Sequence, residues 1–245
     1  SARQGVGEKM QHKLPDRIFG ISTKEAYQKY LEESKKKPEV EKPKTNSTVI
    51  TPTSRNLQSP ENYFILDGRN HGNYTYPDLL VPMERSNLGK TWYQSHEALQ
   101  QEGSYMLTIR QFVDFLNLLK SGKAFDGKGN RLSKGTLDKV LDEIVAVRDP
   151  VRSEWLDAKF DAKGLLKGRK LYIAYHKIKP DGSLEIAEEP LEDTLMENKI
   201  PGISLDYLLS NANSQGLPPS NTNDGDLYYW HPKNGRVARF GADSV

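Results

Sequence analysis

Apolar positions along the chain follow two periods, a helical one up to Pro150 and an alternating one beyond it. Thr91 to Gln101 reads as a helix ending at Gly103. Thr108 and Gln111 then form a capping box, in which each side chain satisfies a free backbone amide, ahead of a second helix closed by Gly122. Phe112, Phe115, Leu116 and Leu119 give that helix one apolar stripe. A third helix is expected from about Thr136 to Val147, with Leu137, Val140, Leu141 and Ile144 on one side. Past Pro150, Trp155 to Phe160 alternates, as does Lys170 to Ile178, and Pro180-Asp181-Gly182 leads into a further run from Ser183 to Ala187. Leu227 to Trp230 and Arg236 to Phe240 flank an Asn234-Gly235 turn signal, which predicts an aromatic hairpin. The pattern as a whole predicts an α+β protein with a helical layer and antiparallel hairpins.

The first 60 residues read differently. Ser22 and Glu25 fit a capping box before a short helix to about Lys36, with Ala26, Tyr27, Tyr30 and Leu31 on one face. Residues 37–60 form a Pro- and Lys-rich linker or strap, where proline denies helix and few side chains offer apolar surface. The expected organisation is therefore an N-terminal segment over 1–36, the strap over 37–60 and an α+β domain over 61–245. Within that domain Asn62 to Leu66 predicts a strand entering a long loop, Leu205 to Leu209 a short helix, and the polar stretch from Ser210 to Asp226 a surface loop.

Thirty-five basic residues stand against thirty-three acidic ones, a net charge of +2, so no global field draws the chain to nucleic acid. Cysteine is absent, which removes disulfides, thiol catalysis and thiolate metal sites together. No window approaches the ~20 apolar residues of a membrane-spanning helix.

Candidate chemistry is sparse. His96-Glu97 is half a zincin motif, but Gln100 stands where the second histidine belongs, and the other four histidines are too scattered in sequence to suggest a ligand set. The loops at Asp67 to Asn73 and Asp126 to Asn130 lack the spacing of a P-loop or an EF-hand and read as turns, with Arg69 and His71 the residues suited to touch a ligand. Asp138, Asp142 and Glu143 point away from an apolar stripe and read as solvated, and Glu185, Glu188, Glu189, Glu192 and Asp193 read as a polar strand edge. No serine lies in a Gly-x-Ser-x-Gly elbow, so no catalytic residue is assigned; no enzyme activity, cofactor or metal is expected. Tyr228, Tyr229, Trp230 and Phe240 crowd one hairpin, where aromatic rings serve as core on one face and contact surface on the other.

From Asp226 to Ser244 the chain reads Asp-Leu-Tyr-Tyr-Trp-His-Pro-Lys-Asn-Gly-Arg-Val-Ala-Arg-Phe-Gly-Ala-Asp-Ser. Upstream stand Tyr76 to Val81, Ser95 to Leu99, Met106 to Leu116 and Glu143 to Pro150. In this order the stretches resemble the invariant scaffold and the approach to the variable region of archaeal diversity-generating retroelement variable proteins, from about Asn62 onward. The resemblance implies a C-type-lectin-like fold of the branch related to formylglycine-generating enzymes, holding a hypervariable face toward a protein or cell-surface ligand. It also implies that Ala238-Arg239-Phe240 opens an interleaved pattern in which Gly241, Asp243 and Val245 are diversified while Ala242 and Ser244 are fixed. With Tyr229 and Trp230 as aromatic anchors, these are the expected ligand-binding residues. On this reading the variable region continues past Val245, the sequence being cut short of its end.

Two other classes stay open at the level of sequence. One is a structural or assembly protein, such as a viral one, tied together by its N-terminal helix and strap. The other is an enzyme of the formylglycine-generating branch, against which the lack of cysteine counts.

Overall fold

A computed structural model of the chain describes residues 17–18, 21–22, 59–148, 153–163, 170–179, 183–192, 202–218, 225–228 and 237–242. By its contacts the chain divides into Ser1–Ser47 and Thr48–Val245. In the first unit the described residues form one small antiparallel ladder, β1 (Arg17–Ile18) with β2 (Ile21–Ser22). The helix expected after Ser22 and the strap as far as residue 58 lie outside the described residues.

The second unit is a mixed α+β structure with four α-helices among its described residues. It opens with β3 (Tyr63–Leu66), β4 (Arg69–His71), β5 (Tyr74–Tyr76) and β6 (Leu79–Pro82), in which β3 pairs with β6 and β4 with β5, both antiparallel. The long loop expected after Leu66 is thus a tight hairpin. Gly72 adopts a φ of 75°, open to glycine, and the Asn70 side chain accepts its amide, while Tyr74 and Tyr76 alternate into the core.

Helices α1 (Trp92–Gln101), α2 (Ile109–Ser121) and α3 (Lys134–Val145) follow. As the sequence predicts, Thr108 closes a capping box and Gly122 ends α2 in the left-handed conformation; Thr91 closes a further capping box with Gln94 at the start of α1. The third helix starts two residues earlier than expected, because Ser133 and not a later residue caps it. One feature of α2 exceeds the expected stripe: every residue from Ile109 to Leu116 is buried. The helix packs on α3, on β3, on β7 (Ser153–Lys163) and on α4 (Leu205–Asn211), so it has neighbours on all sides.

Five antiparallel strands form the main sheet, in the order β10 (Leu227–Tyr228), β11 (Val237–Ala242), β7, β8 (Lys170–Ile178) and β9 (Leu184–Pro190). The predicted hairpin pairs as expected, Leu227 with Ala242 and Tyr228 with Gly241, although its turn and the rings of Tyr229 and Trp230 lie outside the described residues. β9 carries Glu185, Glu188 and Glu189 along the open edge, where charge discourages pairing with another chain. The stretch expected to be a surface loop is in part interior: Gln215 and Leu217 are buried, and the Asn213 side chain accepts the amides of both. Gly216 lets this turn lie on α2, since a Cβ there would stand 2.8 Å from the Arg110 backbone.

Side chains from β7, β8 and β11 meet those of α2 and α3 in one core. Phe240 is fully buried and sets its ring edge-on to Phe112, centroids 5.1 Å apart, whereas Arg239 next to it is exposed. We therefore expect Phe240→Ala to lower unfolding stability by about 3–5 kcal/mol in denaturant titration, and Arg239→Ala to change it by no more than about 0.5 kcal/mol.

Candidate functional site

The most unusual backbone in the sheet lies midway along β7. Its ladder with β11 runs from Ser153↔Gly241 to Trp155↔Arg239 and resumes only at Lys159↔Val237, so Leu156, Asp157 and Ala158 bulge opposite Ala238. All three are buried. A bulge frees backbone groups that must find other partners. Here the Leu156 carbonyl accepts the Trp92 indole N–H at 2.8 Å, and the Asp157 amide donates to the Leu107 carbonyl at 2.8 Å. Both partners belong to the helical layer, which is thereby fastened to the sheet.

The ladder of β7 with β8 stops at Lys159↔Ala174, short of the point where Asp157 would face His176. The Asp157 carboxylate takes over the missing backbone contact, Oδ2 accepting the His176 amide at 2.8 Å. Its two oxygens also lie 3.0 and 3.1 Å from His176 Nδ1, and Oδ1 lies 3.4 Å from His96 Nε2. His96, Asp157 and His176 are 3%, 0% and 8% exposed, with the His96 ring edge-on to Trp92 at 4.1 Å. Burial lowers the pKa of His96 to about 4 despite the opposing pull of Asp157, so its imidazole is neutral at pH 7. Although the five histidines are scattered in sequence, α1 and β8 bring two of them to one carboxylate.

A second polar centre lies on α2. Asp114, also buried, accepts the Tyr76 hydroxyl at 2.5 Å, an Arg110 guanidinium N–H at 2.7 Å and a close approach from His71 Nε2 at 2.7 Å, and Arg69 stands 3.8 Å away. Burial and the Asp114 carboxylate push the Tyr76 phenol well above its usual range. Arg110 reaches on to the Asn213 carbonyl at 2.9 Å. Arg69 and His71, the residues of this turn suited to touch a ligand, therefore converge on one carboxylate from the β4–β5 hairpin, with Arg69 the more exposed.

The remaining expectations fall as follows. The Asp126 loop is a self-closed turn, its carboxylate accepting the Lys128 and Asn130 amides and the Asn130 side chain. Glu189 and Glu192 are not merely a solvated edge, since they hold Gln215 and Ser214 of the buried turn. Glu143 pairs with Arg85 at the mouth of a cleft of about 410 Å³ lined by Met83, Met106, Val140 and Trp155 among others. Of the expected ligand-binding residues, Gly241 is buried in β11 between Tyr228 and Ser153, whereas Tyr229, Trp230, Asp243 and Val245 lie outside the described residues.

Asp157 and His176 were missed because strand alternation counts a lone polar residue as facing water. Arg110 and Asp114 had a usable signal, an i,i+4 ion pair beside an apolar stripe.

Comparison with protein-family models, curated proteins and solved structures gives no match to this chain. No helix among the described residues is long and apolar enough to cross a membrane.

Trp92→Phe keeps an aromatic ring but leaves the Leu156 carbonyl without its indole donor and part of a buried site unfilled, and should lower stability by about 1–3 kcal/mol in thermal or denaturant unfolding. Asp114→Asn strands the buried Arg110 charge and should cost about 3–5 kcal/mol. Arg69→Ala at the exposed rim of the same group should cost no more than about 1 kcal/mol, and equal losses for the two would contradict this layout.

Proposed function

We propose that the chain is a ligand-binding protein, not an enzyme, that presents variable residues to a protein or cell-surface ligand from a C-type-lectin-like frame. The observation that carries this reading is the seating of β11. Its Ala238 and Phe240 are buried and Arg239 between them is exposed, an interleaving of the kind that the resemblance to retroelement variable proteins leads one to expect. Neighbours on both sides, β10 and β7, hold the strand in register, so that residues leaving it start from a fixed base.

Because Gly241 is buried, display falls to Asp243 and Val245, with Tyr229 and Trp230 as aromatic anchors of low conformational entropy. No nucleic-acid role is proposed, in keeping with a net charge of +2.

Sequencing this gene across many individuals of its source population tests the proposal. Substitutions should cluster beyond Phe240 at alternating positions while α2, β7 and the residues around them stay constant. Substitutions spread evenly over exposed positions of the whole chain would overturn it.

A further inference from the structure

We propose that His96, Asp157 and His176 bind one divalent transition-metal ion, Zn²⁺ in the first instance, which clamps α1 to the bulge of β7 and to β8. The site is independent of the display reading and stands or falls without it.

Two imidazole nitrogens and one carboxylate oxygen are a donor set that zinc takes readily, with a fourth position left for a water. Bonds of ~2.0–2.1 Å to a tetrahedral ion put neighbouring donors roughly 3.3 Å apart. The described spacings fall about this value: His96 Nε2 to Asp157 Oδ1 is 3.4 Å and His176 Nδ1 to Asp157 Oδ1 is 3.0 Å. All three donor atoms lie within 4.8 Å of one another.

The surroundings favour a ligand set over a chance meeting of polar groups. Asp157 Oδ2 is engaged by the His176 amide, which fixes the carboxylate and turns Oδ1 toward the two rings, as an outer hydrogen bond does for a metal ligand. The carboxylate itself is fully buried, and a buried anion is strongly unfavourable unless neutralised by charge or coordination. Aromatic rings pack beside the donors, Trp92 on His96 at 4.1 Å and His96 on His176 at 5.5 Å between centroids. A dication neutralises the carboxylate while both imidazoles stay uncharged. The bulge, which gives up regular pairing to place Asp157 here, has a reason in such a site.

Because the donors are buried, metal must be supplied while the chain folds. The full chain is unfolded in denaturant with a chelator, freed of both, and refolded without metal, with Zn²⁺ or with Co²⁺. We expect one Co²⁺ per chain, with the intense visible bands of a four-coordinate ion, displaced by Zn²⁺. The Zn²⁺-refolded chain should melt about 5 °C or more above the metal-free one. In the Co²⁺-loaded wild-type chain, proton NMR should show two hyperfine-shifted, exchangeable imidazole N–H signals, a readout that needs no variant. His96→Gln and His176→Gln should each abolish the bands while far-ultraviolet circular dichroism reports whether the fold survives. Wild-type chain that refolds equally well with and without metal and shows neither bands nor shifted signals would overturn the proposal and leave a metal-free hydrogen-bonded triad. Bands that persist in both histidine variants would overturn it too, by placing the ion elsewhere.

Discussion

From Ile109 to Leu116 the second helix turns no side to water, and three of those eight residues are polar. A buried polar group without a partner destabilises by a few kcal/mol, so a helix enclosed in this way commits its neighbours to particular places. Gln111 turns back to the helix start and closes the capping box. Arg110 and Asp114 pair one turn apart and then recruit what surrounds them: the β4–β5 hairpin delivers Tyr76 and His71, and the buried turn at 213–217 delivers a backbone carbonyl. Segments that look like independent loops in sequence are therefore held by one helix.

The same requirement explains the bulge in β7. Its freed carbonyl and amide are met by Trp92 and Leu107, at the start of the first helix and just before the second. The capping boxes that start these helices also fix where those partners stand. Local capping and sheet irregularity are two ends of one arrangement.

This shows why parts of the molecule were legible in sequence and others were not. The helix start at Thr108 and the helix end at Gly122 are legible because caps are local chemistry. The strand from Lys170 to Ile178 was legible because alternation is local as well. The hairpin after Leu66 is not legible, since its glycine and asparagines signal a turn but not which strands it joins. The buried turn around Gln215 looks like surface in sequence, because its composition is polar and its contact with Arg110 comes from far away in the chain. Asp157 and His176 were invisible for the same reason: only pairing of β7 with β8, interrupted by the bulge, brings them together with His96.

The placing of β11 bears on how the chain reaches this state. It lies between β7 and β10, yet it follows β7, β8 and β9 in sequence. The β7–β8–β9 meander can form from near neighbours, but the other side of β7 stays open until β11 arrives, and such distant pairing is the slow kind. Until β11 pairs, that side of β7 has unpaired backbone next to the apolar Leu156, Ala158 and Phe160. An open apolar edge of this kind accepts a strand from any chain that offers one. By this topology, dilution should favour pairing with the chain's own late strand over a strand from a neighbour.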